Sequence, residues 1–322
     1  MKTILLVKTS DVPAARHKLM SAQTNFLVLF LLLFSIDASA FRIEINGETG
    51  SLGEQVLSRE CGSPSEQSFT SDSTGSTYSN EVVANGEKSI RLSISEGHKG
   101  FGLLGGVIDF SQCSIAGAHA LAKGSEVWVT TKLWFPADFE FNANGRNKFL
   151  RLRTHHMEGD KKISEGYNDL YLDAPPGTEL WKGYAPFQYI FEGRQSWFRM
   201  NEGEEFFLKE RWNTVEYYLK FDNTKQSEGG DPVMRVWVNG NLIGETREKE
   251  NMLREDSFVE SLYFFTYWDN EGAHRSQHFF ADDIVVTNEK PDQLDQFGNP
   301  YLGLHLDQSS KPNPPTLRIQ AE

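Results

Sequence analysis

The run KFLRLRTHH, residues 148–156, places Arg151, Arg153 and His155 at alternate positions. Alternate side chains of a β-strand share one face, so two guanidiniums and an imidazole stand in line while Leu150 and Leu152 take the other side. Guanidiniums neutralise an anion, and an imidazole moves a proton. The same spacing joins Tyr263 with Tyr267 in YFFTY, Tyr218 with Lys220 in EYYLK, and Arg235 with Trp237 in MRVWV. A sheet face carrying these groups is cationic and aromatic, although the chain as a whole has a formal net charge of −13.

Each group also has a plainer reading. Arg151 and Arg153 equally fit a structural lattice of ion pairs with Glu216 and Glu192, because paired cations on a strand need solvent or acidic partners. His155 equally fits a hydrogen-bonded structural histidine, and His156 points to the opposite face. His274 and His278 stand near the start of the last expected strand, either at the end of a cleft or in a loop. Tyr267 at a strand end either projects into a cleft or is an ordinary half-buried strand residue. Asp282-Asp283 is an acidic pair that can join a calcium site, given further oxygen ligands from other loops. No other cofactor is expected.

The elements that must position these groups are strands. SIRLSIS (residues 89–95) alternates strictly, and EVWVTTKLWF (126–135) sets Val127, Val129, Thr131, Leu133 and Phe135 on one side. Further strands are expected at 41–45, 148–156, 170–173, 187–192, 214–221, 233–239, 261–268 and 279–287. Turn formers separate them: Pro175-Pro176-Gly177, Glu228 to Pro232, and Asn239-Gly240, the last predicting a tight hairpin. Glu158-Gly159-Asp160 reads as a solvated turn, and residues 248–254 as one short helix. Many strands without alternating helices predict an all-β antiparallel sandwich.

The first 40 residues are expected to be an export signal: FLVLFLLLF (26–34) follows several cations and precedes Ala38-Ser39-Ala40, a small-x-small cleavage pattern. Met20 is an alternative start. A membrane span would need ~20 apolar residues, about twice this run. Residues 41–290 then form the folded domain and 291–322, rich in Pro, Asn, Gln and Ser, a weakly ordered tail. An exported chain with an even cysteine count usually pairs them, so Cys61 and Cys113 are expected to form a disulfide, the alternative being two buried thiols. No C-x-x-C pair suggests zinc. The acidic balance argues against nucleic acid as a partner. After signal cleavage no membrane association is expected, and the protein is expected to be a secreted, periplasmic or otherwise extracellular monomer.

RWNTVEYYLKFDN followed by MRVWVNGNLIG, residues 211–223 and 234–244, resembles the strand pair of the concanavalin A-like jelly-roll superfamily, and ADDIVV (281–286) resembles its last inner strand. The resemblance implies a jelly-roll sandwich of two antiparallel sheets. This superfamily holds lectins, glycosidases, polysaccharide lyases and adhesion modules. The E-x-D-x-x-E string of its glucanase branch is absent. The chain is more similar to the branch of alginate, glucuronan and heparin lyases, which cleave uronic-acid glycans by β-elimination using Arg or Lys, His and Tyr on one sheet. It departs from the alginate-lyase signatures: YYLKFDNTKQ (217–226) lacks their Ala-Gly and second Tyr, and RLRTHH stands where R-x-E-x-R would be expected.

That resemblance implies roles. Arg151 and Arg153 neutralise a uronate carboxylate, His155 is the base candidate and Tyr267 the acid candidate. Tyr218, Lys220, Arg235, Trp237, Tyr263 and Trp268 are the expected contacts to an extracellular acidic polysaccharide, the tryptophans stacking on pyranose rings or else packing in the core. The alternative is a non-catalytic lectin or carbohydrate-binding module on the same fold, and a third is an adhesion domain.

Overall fold

The computed structural model describes residues 40–57, 69, 75–102, 104–110, 121–140, 146–173, 187–200, 207–268 and 272–304. The expected export signal up to residue 39, Cys61 and Cys113 lie outside these residues. Among the described residues no helix is long and apolar enough to cross a membrane.

Among the described residues sixteen strands, numbered in chain order, form two sheets with every ladder antiparallel. The first sheet runs β14 (Asn241–Thr246), β13 (Val233–Val238), β12 (Trp212–Lys220), β7 (Glu126–Trp134), β16 (Gln277–Thr287), β3 (Ser89–Ile94) and β2 (Ser76–Ser79), with β1 (Arg42–Ile45) also on β16. The second runs β11 (Ser196–Arg199), β10 (Phe187–Phe191), β9 (Lys161–Asp173), β8 (Arg146–Glu158), β15 (Phe258–Trp268) and β4 (Gly100–Phe101). There β5 (Gly106–Asp109) and β6 (Leu121–Ala122) share the free edge of β15. This is the jelly-roll sandwich that the sequence predicts.

The core lies between the sheets. Val127, Val129 and Leu133 of β7 meet Val215, Tyr217 and Leu219 of β12 on one side, and Leu150, Leu152, Leu170 and Leu262 close it from the other. Burying each such aliphatic or aromatic side chain stabilises by about 1.5–3 kcal/mol, which is why strict alternation translates into strands with one committed face. The β13–β14 hairpin turns at Asn239 and Gly240, both at positive φ (49° and 78°), as a two-residue turn of this kind requires.

Two expectations are corrected. β9 begins at Lys161, well before residue 170, and pairs with β8 along its length around the turn at Gly159. Residues 248–254 are not helical. The Asn251 side chain holds them in an irregular path, accepting from the Asp222 amide at 2.8 Å and donating to the Lys220 carbonyl at 2.8 Å. The described part of the expected tail is a strap on the outer face of the first sheet. There Tyr301 stacks on Trp237 at 5.9 Å, Trp128 Nε1 donates to the Pro300 carbonyl at 3.2 Å, and Trp237 Nε1 donates to Asp295 Oδ2 at 2.8 Å.

The strap is also pinned by a carboxylate. Glu216 accepts from the amides of Leu302 and Gly303, and burial pushes it up to about 7 against those two hydrogen bonds. A carboxyl raised on folding favours the folded state most when protonated. Its contribution is therefore full below the unfolded value and lost as pH rises through about 7. We expect the melting temperature to fall between pH 5 and pH 8, and Glu216→Gln to flatten part of that slope in a series of thermal melts.

Candidate functional site

The outward face of the second sheet gathers charge around β8. Arg151 and Arg153 share it as the alternation predicts, and opposite them stand Tyr167, Asp169 and Tyr171 of β9 and Tyr263 and Tyr267 of β15. Lys148 joins them through a bulge: Phe149 is the extra residue between the Lys148–Tyr171 and Leu150–Leu170 pairs, and its ring turns into the core. A second irregularity on β15 does the same for Phe265, whose φ is +50°. The two inward rings meet at 4.2 Å. Both bulges thus bury a phenylalanine and leave Lys148 and Tyr267 outward, with the Lys148 ammonium 5.0 Å from the Tyr267 ring.

The cations are not equivalent. Arg151 is buried; its Nε donates to Asp169 Oδ1 at 2.7 Å, its Nη2 to Glu192 Oε1 at 3.4 Å, and its guanidinium lies 3.7 Å from the centre of the Tyr167 ring. Lys148 pairs with Glu192 at 2.7 Å and lies 3.7 Å from Asp169. Burial pushes Asp169 up to about 7, Arg151 opposing. Burial opposes the shift of Glu192, yet its hydrogen bonds with Asp169 and Lys148 hold it below the usual carboxylate range. Arg153 is different: it is half-buried, and its guanidinium donates to the Tyr263 hydroxyl at 3.0 Å and to Ser164 Oγ at 3.4 Å. Among the described residues it has no carboxylate partner.

The phenols around Arg153 form an edge-to-face pair, Tyr167 and Tyr263, with centroids 5.2 Å apart and planes at 85°. Burial pushes Tyr167 up to about 12, with Arg151 opposing and the Tyr263 hydroxyl adding to it. Such a phenol stays protonated at neutral pH. Phe101, exposed at the rim, lies 5.9 Å from Tyr263.

The remaining expected site residues are distributed elsewhere. His155 follows Arg153 on the same face but is only 3% exposed, stacked near Phe258 at 5.9 Å with Nδ1 buried and unpaired. Burial, with Arg153 and Lys162 adding to it, pushes His155 down to about 4, so its imidazole is neutral at ordinary pH. Tyr267 is cross-strand from Lys148, and the stretch of β8 from there to His155 covers roughly 20 Å at about 3.3 Å per residue. The expected base and acid therefore do not converge on one sugar ring. Of the two expected acidic partners, Glu192 is one and Glu216 is not, because Glu216 holds the strap.

Tyr218, Lys220, Arg235 and Trp237 sit on the first sheet and form no part of this site. Arg235 is buried, paired with Glu245 at 2.7 Å and set 5.3 Å from the Tyr218 ring; Lys220 pairs with Asp231; Trp237 lies under the strap. Trp268 is 1% exposed in the main core, out of reach of a ligand. His156 is buried against Glu165 at 2.9 Å, His274 pairs with Glu140 at 3.1 Å, and His278 lies 3.2 Å from Arg91 on the first sheet. The Asp282-Asp283 pair does not fit calcium. Asp282 accepts the amides of Ala84, Asn85 and Asp283, and the Lys132 ammonium lies 2.7 Å from Asp283.

Four residues of the face escape sequence reasoning: Lys148, Tyr167, Asp169 and Tyr171. The last three occupy alternate positions in GYNDLYLD, a signal that a strand read from residue 167 onward would have exposed. Lys148 has the parity of Leu150 and Leu152, and only the bulge turns it outward.

No family model matches the chain, and no curated protein matches it. Solved structures that it resembles include the endo-β-1,4-glucuronan lyase of the fungus Trichoderma reesei, at 12% identity and TM-score 0.42, covering 66% of this chain and 85% of that one. Alginate lyase vAL-1 from Chlorella virus aligns at 12% identity and TM-score 0.43, covering 66% and 89%. Alginate lyase Aly36B aligns at 10% identity and TM-score 0.43, covering 76% and 96%. Likeness of this extent carries no activity from one protein to another, since function resides in the site and not in the fold.

Proposed function

We propose that this face binds an acidic polysaccharide through Arg153 and cleaves it by β-elimination, and that the protein does so outside the cell after its export segment is removed. The supporting observation is the Arg153–Tyr263 pair: a half-buried guanidinium with no carboxylate partner among the described residues, 3.0 Å from a phenol and flanked by a second one. A buried or half-buried cation without an internal anion is stabilised by an external one.

In this reading the uronate carboxylate sits on Arg153, which draws charge out of the ring and acidifies the C5–H bond. The C5 proton passes to the Tyr263 oxygen in its phenolate form, and the C5–H electron pair becomes the C4–C5 double bond. The C4–O4 bond then breaks, and O4 takes a proton from Tyr167. A proton shift between the two neighbouring phenols restores the starting state. His155 has no role in the transfer.

The test is to incubate the mature protein with alginate, glucuronan, heparin and mixed uronate glycans and to follow the ultraviolet absorbance of the unsaturated product. Tyr263→Phe is expected to lower turnover by about 10²–10⁴-fold, the usual worth of a positioned acid–base group, while His155→Phe leaves it within a few fold. The non-catalytic glycan-binding reading is favoured by one observation, that Lys148 and Arg151 are already neutralised by Asp169 and Glu192. Arg153-dependent binding of an acidic glycan with no product from any of them would establish it and sink the lyase reading.

A further inference from the structure

Along β8 the charge is uneven in a way that bears on which glycan fits. At one end Arg153 carries an uncompensated positive charge among the described residues. At the other, Lys148 and Arg151 are matched by Glu192 and Asp169 through contacts of 2.7 Å each, with a further 3.4 Å contact between Arg151 and Glu192. Glu192 is held there by its backbone. It opens a 3-10 turn, Glu192–Arg194, closed by Gln195 at φ 51°, and its Oε1 also accepts from Tyr171 at 3.3 Å. Its side chain is 23% exposed and that of Lys148 18%, so the acid lies at the surface of the patch and a ligand meets it.

What surrounds this acid is aromatic. Tyr267 lies over Lys148 on one side, and on the other Trp197, half-buried, packs 5.7 Å from the buried Tyr171 ring and continues the surface. Aromatic faces of this kind take the apolar C–H face of a sugar ring. A carboxylate placed here would find both cations engaged and Glu192 repelling it, in a site where like charges brought together are costly.

We infer that this face reads a glycan in which an isolated uronate on Arg153 is followed by neutral sugars over Tyr267 and Trp197, with Glu192 excluding a second carboxylate. The inference rests on the proposed binding of a uronate by Arg153 and narrows its substrate class, from polyuronates in general to glycans whose uronates are separated by neutral units. Glu192 is thereby a specificity residue, and it need not touch the reacting atoms.

The experiment compares binding of two oligosaccharide series of equal length at pH 8, where Asp169 is ionised: oligoglucuronates, and oligomers alternating glucuronate with a neutral N-acetylhexosamine. Isothermal titration with the wild-type protein is expected to favour the alternating series by about tenfold, the equivalent of about 1.4 kcal/mol. Glu192→Gln, whose amide oxygen still accepts from Lys148 and Tyr171, is expected to remove that preference by strengthening oligoglucuronate binding more than binding of the alternating series. The wild-type comparison stands by itself if the variant does not fold. Equal affinity for the two series, each lost in Arg153→Ala, overturns this inference alone. Absence of binding to both overturns the uronate reading beneath it as well.

Discussion

Arg153→Ala is expected to abolish glycan turnover while leaving the protein folded. Removing one preorganised group that stabilises developing negative charge costs about 10²–10³-fold in rate, and Arg153 also supplies the ground-state contact, so kcat/KM is expected to fall by at least about 10³-fold. The fold loses little, because the side chain is half-buried and its partners are hydroxyls, Tyr263 at 3.0 Å and Ser164 at 3.4 Å. A hydrogen bond from a charged donor is worth about 1.5–3 kcal/mol, offset by the desolvation that the half-buried cation no longer undergoes, which leaves a drop of a few degrees in a domain this large. Arg153→Lys keeps the charge but not the planar fork, and should recover only part of the activity. Steady-state kinetics on the product absorbance, read beside a thermal melt, separates the two effects. Wild-type turnover in Arg153→Ala would remove the central residue of the proposed mechanism.

The neighbouring cation should behave in the opposite manner. Arg151→Ala is expected to cost about 3–5 kcal/mol of stability, the range for breaking one side of a buried ion pair. Asp169 is 0% exposed and, among the described residues, would keep only one cation, Lys148, 3.7 Å from its Oδ2. The Tyr167 ring would also lose the guanidinium stacked on it at 3.7 Å. Replacing both partners, Arg151→Met with Asp169→Leu, should return much of the loss, because a well-packed apolar pair of similar volume often matches a buried ion pair. Urea denaturation of the two single variants and the double variant measures this. A loss below about 1 kcal/mol in Arg151→Ala, the value typical of exposed pairs, would mean that Asp169 is not held by Arg151. The pair of experiments assigns one arginine to the ligand and the other to the scaffold, although alternation makes them look alike.

Much of the sandwich is legible in the sequence because burial imposes it. Strict alternation at residues 89–95 and 126–135 becomes β3 and β7 almost residue for residue, since a one-residue slip would turn every apolar side chain to solvent. Asn239-Gly240 becomes the expected hairpin because few other residues accept positive φ twice in succession. What escapes is short or irregular. β4 and β6 are two residues each, too brief to show a period. β9 begins in KKISEG, where no apolar repeat marks a strand and pairing with β8 alone extends it.

By itself the sequence determines the long, regularly alternating strands and the all-β class, together with the alternation that puts Arg151 and Arg153 on one face and Tyr263 with Tyr267 on another. Those are consequences of a two-residue period and of apolar burial, both local properties of the chain. Only the tertiary structure decides which faces meet. It brings Tyr263 to Arg153, carries Tyr218, Lys220, Arg235 and Trp237 to the other sheet under a strap, and turns Lys148 outward through a bulge at Phe149. It also separates two arginines that the sequence makes equal, because Asp169 and Glu192, from two other segments, reach Arg151, whereas Arg153 has no carboxylate partner among the described residues. Sheet order and the placement of a bulge depend on contacts between residues far apart in the chain, and no local period encodes them.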